Sequence, residues 1–191
     1  MTEISKDCFA VTYGNGNKFA IASLEKYQYK TIKKIITPYT CWGISYCDNK
    51  LAVKISSVGI YLYDVNGKLL KNIESVEKLN YFYNIAMTKN IYFSWREENA
   101  VHCCDQQGNE VWTYQHDNLQ DPSGITTDRY GNIFVVGSSS KNLFIISNDG
   151  QGREILKMEQ TPISVSCDKV NNQLLVRTCG QILLFDITFE Q

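Results

Sequence analysis

His102, Cys103 and Cys104 stand side by side in the run Ala100–Tyr114, and Asp105 follows them. All four are metal-ligand types, and a tetrahedral nitrogen–sulfur site is the chemistry they would serve. Strand geometry argues against it. Successive side chains of an extended chain point to opposite faces, so His102 and Cys103 cannot close on one ion. Cysteine at such a place acts as a small buried hydrophobe. A second candidate set is Asp48, Asp128 and Asp168, which recur at one position of a repeat and would suit acid/base work. Each stands at a turn, where aspartate accepts hydrogen bonds from its own backbone. His116 lies in the connection QHDNLQDP with no serine or cysteine nucleophile in register. The expectation is therefore no catalytic residue, no metal and no cofactor.

Composition bounds the partners. The chain has 191 residues, 43% hydrophobic and 20% charged, with 19 basic against 20 acidic residues and a net charge of −1. That is one ordinary globular domain, residues 1–191, with no bulk electrostatic pull toward DNA, RNA or a membrane. No apolar run approaches the roughly 18 residues of a spanning helix, and MTEISKDCF lacks a signal peptide's apolar region. Seven cysteines, at positions 8, 41, 47, 103, 104, 167 and 179, cannot all pair within the chain and form no C-x-x-C pair. Free thiols in a reducing compartment follow, so a cytoplasmic setting is expected.

The chain repeats. Ile44, Ile85, Ile125 and Val165 are equivalent, with steps of 41, 40 and 40 residues, and Leu51, Ile91, Ile133 and Leu174 follow them. Turn pairs such as Asp48-Asn49, Asn66-Gly67, Gln107-Gly108 and Asp149-Gly150 separate short runs rich in Val, Ile and Phe. Four short strands at a period near 40 residues predict an all-β fold, a β-propeller. His102 to Asp105 then occupies the place of Tyr61 to Asp64, Phe144 to Ser147 and Leu183 to Asp186, the third strand of each unit.

The third unit carries a more specific likeness. Pro122-Ser123-Gly124-Ile125, then Asp128 ahead of Gly131-Asn132, then Leu143 to Ile146 ending near Asp149-Gly150, resembles an NHL repeat. The runs CWGISY, AVHCCDQQGNEVWTY and GITTDRYGNIFVVG make residues 8–191 similar to the C-terminal propeller of divergent, invertebrate tripartite-motif proteins. In that family the propeller recruits substrates for ubiquitination, and some members bind RNA with it. The RING, B-box and coiled-coil parts are absent from this sequence, so ligase activity does not transfer. Six-bladed propellers also include metal-dependent lactonases, but the strand entries here, Trp42-Gly43, Tyr83-Asn84, Ser123-Gly124 and Ile163-Ser164, contain no carboxylate ring.

Such propellers usually have six blades, and about five fit here: 8–40, shortened, 41–80, 81–121, 122–161 and 162–191, incomplete. In this reading Phe9–Tyr13 is the entry strand of the first unit, and residues 1–7 are too short and polar to complete a blade. A part of a six-bladed parent is the favoured expectation, and a compact five-bladed ring the alternative.

Binding is the expected role. In a propeller the inter-blade loops and those after each second strand share one face. That face should collect Tyr39, Lys54, Tyr81, Tyr83, Trp95, Arg96, Asp121, Lys141 and Arg177. Aromatic and arginine side chains together suit a protein partner, and they also suit stacked bases and phosphates. Near-neutral charge favours the protein. Six lysines against three acids within residues 1–40 keep single-stranded RNA as the second possibility; neither DNA nor a membrane is expected.

Overall fold

Short β-branched and aromatic runs separated by turn residues fold as nineteen strands in five antiparallel sheets among the described residues, which are 1–14, 16–56, 58–73 and 84–188 of this computed structural model. The first sheet is β1 (Thr2–Ser5), β2 (Cys8–Thr12), β3 (Lys18–Glu25) and β4 (Gln28–Ile36). The second is β5 (Cys41–Cys47), β6 (Lys50–Ile55), β7 (Gly59–Asp64) and β8 (Leu69–Ile73). The third is β9 (Ile85–Met87), β10 (Ile91–Trp95), β11 (Ala100–Cys104) and β12 (Glu110–Gln115). The fourth is β13 (Pro122–Thr127), β14 (Ile133–Gly137), β15 (Asn142–Ile146) and β16 (Gly152–Lys157). The fifth has three strands among the described residues, β17 (Pro162–Asp168), β18 (Gln173–Thr178) and β19 (Ile182–Asp186). Every sheet is a meander in chain order.

The turns are set by residue chemistry. Cys47 pairs with Lys50, and the two residues between them, Asp48 and Asn49, have φ of 48° and 60°. Two left-handed residues in a two-residue hairpin match the right-handed twist of the flanking strands. Asp128 works differently. Its Oδ1 accepts the backbone N–H groups of Tyr130 and Asn132, each at 2.8 Å, and its Oδ2 accepts the Asn132 side-chain amide at 2.8 Å. Asp64, Asp105 and Asp168 hold the same kind of loop, accepting the N–H groups of Asn66 and Lys68, of Gln107 and Asn109, and of Val170 and Asn171. The Asn109 side-chain amide, with the nearby backbone N–H groups, holds the Asp105 carboxyl below its ordinary pKa. Asp128 is buried, so Asp128→Ala strands backbone donors away from water. The expected loss is about 2 kcal/mol in urea unfolding. A loss near zero would mean the loop does not depend on the carboxylate.

The chain forms two compact units. One comprises Met1–Ile91 with Cys104–Asn109. Its core packs Phe19, Ile21 and Ile35 of the first sheet against Ile44, Leu51, Val53 and Tyr63 of the second. The other comprises Tyr92–Cys103 with Glu110–Gln191. There Phe134, Val136 and Leu143 of the fourth sheet meet Val165, Leu174 and Val176 of the fifth.

Adjacent sheets within each unit are keyed by a recurring bond. The hydroxyl of a first-strand residue accepts a backbone N–H from the first strand of the next sheet. Tyr46 N donates to Thr2 Oγ1 at 3.2 Å, Met87 N to Ser45 Oγ at 3.0 Å and Cys167 N to Thr126 Oγ1 at 3.2 Å. This bond makes Thr2 the equivalent of Ser45 and Thr126. The pairings Thr2↔Ala10 and Ser45↔Ala52 agree with it.

The first unit of the repeat is corrected accordingly. It is not shortened: Thr2–Ser5 is its first strand, Cys8–Thr12 its second, and the step from Thr2 to Ser45 is 43 residues. The polar character of residues 1–7 concealed the strand. Glu3 and Ser5 are exposed while Thr2 and Ile4 turn inward, so β1 alternates like a strand covered on one face only.

Candidate binding face

His102 and its neighbours are strand residues. His102, Cys103 and Cys104 lie in β11 and are all buried. The His102 ring stacks on Phe93 at 5.3 Å, and its Nδ1 lies 2.9 Å from Thr113 Oγ1, which in turn donates to Glu110. Burial pushes the imidazole pKa below its ordinary value, against the opposing pull of Glu110 and Glu98. A neutral ring with Nδ1–H donating to Thr113 satisfies this chain. Among the described residues no group of three or more His, Cys, Asp or Glu is placed to hold a metal ion. His116 is exposed and its Nδ1 accepts the Asn118 N–H at 3.0 Å, a loop role.

The residues expected on one binding face fall into different environments. Tyr81 and Tyr83 lie outside the described residues. Tyr39 is exposed in the connection between β4 and β5. Lys54 is the clearest correction. It is 0% exposed, inside β6, and burial lowers its pKa to about 8. The reason is positional: Lys54 occupies the place of Thr12 and Ser94, at the end of a second strand. There Thr12 Oγ1 donates to the Trp42 carbonyl at 2.5 Å and Ser94 Oγ to the Ser123 carbonyl at 3.0 Å. That place faces the next sheet, not solvent.

In the second unit two of the expected residues do come together. Arg96, just beyond β10, forms a two-pronged ion pair with Asp121 at the entry to β13: Nε meets Oδ1, and Nη2 donates to Oδ2 at 2.7 Å. Parallel N–H···O bonds of this kind fix geometry as well as charge. Asp121 sits in the left-handed region at φ 55°, held by its N–H donating to Asn99 Oδ1 at 2.7 Å. Trp95, the last residue of β10, is half-buried, its ring 5.3 Å from His102. Its role is thus partly to pack the sheet end. Lys141, exposed at φ 53°, closes the turn that follows Ser138-Ser139-Ser140, and its Nζ donates to the Glu159 carbonyl at 3.3 Å. Arg177 is exposed on β18.

Sequence reasoning missed two parts of this face. Asn99 and the serine loop support it directly: Ser139 Oγ donates to Asp121 Oδ2 at 3.4 Å, and Ser138 N to the Asp121 carbonyl at 3.0 Å. The run of three serines beside Lys141 was the available signal. A second concave feature was not legible at all. A groove of about 600 Å³ lies between the fourth and fifth sheets, lined by Phe134, Leu143, Leu156, Leu174 and Phe185, with Arg153 and Asp186 as polar members. It adjoins the apolar core of the second unit, alongside a fifth sheet that ends at β19 among the described residues.

These sheets define a class. A family model described as a β-propeller repeat matches residues 115–145. No curated protein matches the chain. Solved structures do. A catalytically inactive virginiamycin B lyase from Staphylococcus aureus with quinupristin aligns with a TM-score of 0.65 and 18% identity, over 98% of this chain and 69% of that one. A chain of a nidogen/laminin complex aligns at 0.71 and 15% identity, over 92% of this chain and 77% of that one. A functionally unknown protein from Desulfotomaculum acetoxidans aligns at 0.74 and 13% identity, over 97% and 64%. The fold is an all-β propeller of five blades, the five sheets described above.

Proposed function

We propose that this chain is a non-catalytic binding propeller whose partner is a protein. The observation that carries the reading is the Arg96–Asp121 pair, braced by Asn99 and Ser139. An arginine held in one geometry is the kind of anchor that dominates protein interfaces. Bracing lowers the entropy lost on binding. The nidogen/laminin propeller is a structural relative found in a complex with a protein, which fits this role. The NHL-like run from Pro122 to Gly150 further supports a substrate-recruiting module of a tripartite-motif-like ubiquitin ligase. The seven thiols, all free, suit a reducing cytoplasmic setting.

A second reading, single-stranded RNA, is favoured by one local feature. Strand β4 and its leading turn expose Tyr27, Tyr29, Lys30, Lys33 and Lys34 together, and stacked rings among cations suit bases and phosphates.

Affinity capture with immobilised wild type and Arg96→Ala separates the two. Proteins enriched by wild type should fall at least about tenfold with Arg96→Ala, the loss expected of one hot-spot side chain. Identical capture by both proteins would sink the protein-binding reading for this face. Fluorescence anisotropy with a short single-stranded RNA supplies the other arm. Binding that weakens steeply with salt and disappears in Lys33→Glu/Lys34→Glu would establish the RNA reading instead.

A further inference from the structure

His102 is buried with half of its hydrogen-bonding capacity unused. The residue is 8% exposed, and its Nε2 has no hydrogen-bond partner among the described residues. The other nitrogen is held, with Nδ1 at 2.9 Å from Thr113 Oγ1 on β12. Two carboxylates flank the ring. Glu98 Oε2 stands 3.8 Å from Nε2, and Glu110 Oε2 stands 3.6 Å from Nδ1. These are the charged groups that act on the ring among the described residues. From β10 it meets Phe93 and Trp95, neither of which carries a charge. While Nε2 is bare it is an acceptor beside a carboxylate that can only accept, so no bond forms between them. Once protonated, Nε2–H is a donor within reach of Glu98, and Nδ1–H keeps Thr113.

Glu98 connects this nitrogen to the binding face. It lies in the turn between β10 and β11, residues 96–99, with Arg96 at one end and Asn99 at the other. Arg96 clasps Asp121, and Asn99 Oδ1 accepts the Asp121 N–H at 2.7 Å. Two neutral bonds steady the turn itself. Asn99 N donates to the Arg96 carbonyl at 3.3 Å, and Gln115 Nε2 of β12 donates to the Glu98 carbonyl at 3.2 Å. We propose that His102 is a proton sensor for the Arg96–Asp121 clasp: a proton on Nε2 draws the Glu98 carboxylate onto the imidazolium and pins the turn that carries Arg96 and Asn99. The new bond is charge-assisted, and such bonds are shorter and stronger than neutral ones. Burial holds the imidazole below its ordinary pKa while Glu110 and Glu98 pull it back up, so the proton is taken up on the acid side of that value. The turn is therefore looser at neutral pH and pinned in mild acid. The link rests on the protein-binding reading for its use, while its geometry stands without it.

Nuclear magnetic resonance of the full chain, titrated from about pH 8 to about pH 5, reads both ends of the link. The His102 ring signals report the proton, and the Arg96 Nε–H and Asp121 amide signals report the clasp. The expected result is one midpoint shared by all three. Glu98→Ala removes the connection at an exposed position, so the fold is retained and the spectrum itself checks that. In this variant the ring should still titrate, at a lower pH because an anion is gone, while the clasp signals no longer follow it. Below the midpoint the wild-type Asp121 amide should exchange with solvent more slowly than that of Glu98→Ala at the same pH. His116, the other histidine of the chain, is controlled by His116→Asn, which should leave the shared midpoint in place. A His102 ring that stays neutral down to pH 5 overturns the proposal, as do clasp signals that stay flat while the ring titrates. Clasp signals that still follow the ring in Glu98→Ala, or that stop following it in His116→Asn, also overturn it. No partner is present in these measurements, so a negative result leaves the protein-binding reading standing, and a failed affinity capture leaves this link standing.

Discussion

Gly124→Ala should lower stability by about 3 kcal/mol, the upper end of what one methyl costs in a filled interior. A Cβ built on Gly124 would lie 2.6 Å from Ser164 Cα and 2.6 Å from Val165 N. Both obstacles are backbone, and they belong to β17, which packs on β13 in the second unit. A side chain in the way could rotate, but a strand cannot move without disturbing the register that places Val165 in the core and seats the Cys167 N–H on Thr126. The glycine is needed for close approach rather than for an unusual backbone angle. Gly14→Ala provides the contrast, because its added Cβ would sit at an ordinary 3.6 Å from the Trp42 ring. It should change stability by less than about 0.5 kcal/mol. Urea unfolding followed by tryptophan fluorescence measures both. Equal effects from the two alanines would disprove the close approach of β13 and β17.

Lys54 should impose a pH dependence on stability of comparable size. Burial lowers its pKa from 10.5 to about 8 in the folded chain. Between those two values the unfolded chain holds the proton more often than the folded one, so stability rises with pH across that window. Below about pH 8 both states are protonated and the full cost of the buried ammonium is present. Above 10.5 both are neutral and the cost is gone. The shift corresponds to roughly 3 kcal/mol. Other groups oppose it at the alkaline end. Burial, and then the Asp128 carboxylate, push the Cys167 thiol up to about 11. Burial pushes Tyr63 up to about 12, so both favour the folded state less as pH climbs. The difference between wild type and Lys54→Met cancels those contributions. Relative to the variant, wild type should gain stability from pH 8 to 10.5 in urea titrations. A flat difference across that range would mean that Lys54 keeps its ordinary pKa in the folded chain.

Lys54 also shows why a binding face is harder to read than a fold. On the linear chain it follows Leu51-Ala52-Val53 at the end of a second strand, where a lysine suggests a solvated loop. Only the packing of one sheet on the next reveals that this place faces a neighbour, as Thr12 and Ser94 show with their bonds to Trp42 and Ser123. Arg177 stands in the same position on the fifth sheet, which leaves it exposed. One residue position thus yields a buried lysine and an exposed arginine. The Arg96–Asp121 pair was legible as two residue types but not as a pair, since 25 residues separate them. The hairpin at Lys26-Tyr27 was illegible for a different reason. Both residues take left-handed angles, φ 49° and 64°, without the Gly or Asn that usually marks such a turn.

Local chemistry alone determined the all-β class, the period near 40 residues and the turn roles of Asp128 and Asp168. Those features depend on side-chain alternation, on β-branched runs and on aspartates that bond their own backbone, all within a few residues along the chain. Tertiary structure decided the rest. It assigned Thr2–Ser5 to the first blade through the Tyr46 N–H, buried Lys54, joined Arg96 to Asp121 and left Ser166 and Leu184 exposed. Each of these outcomes depends on which sheet lies against which. Residues tens of positions apart set that, so no local pattern reports it.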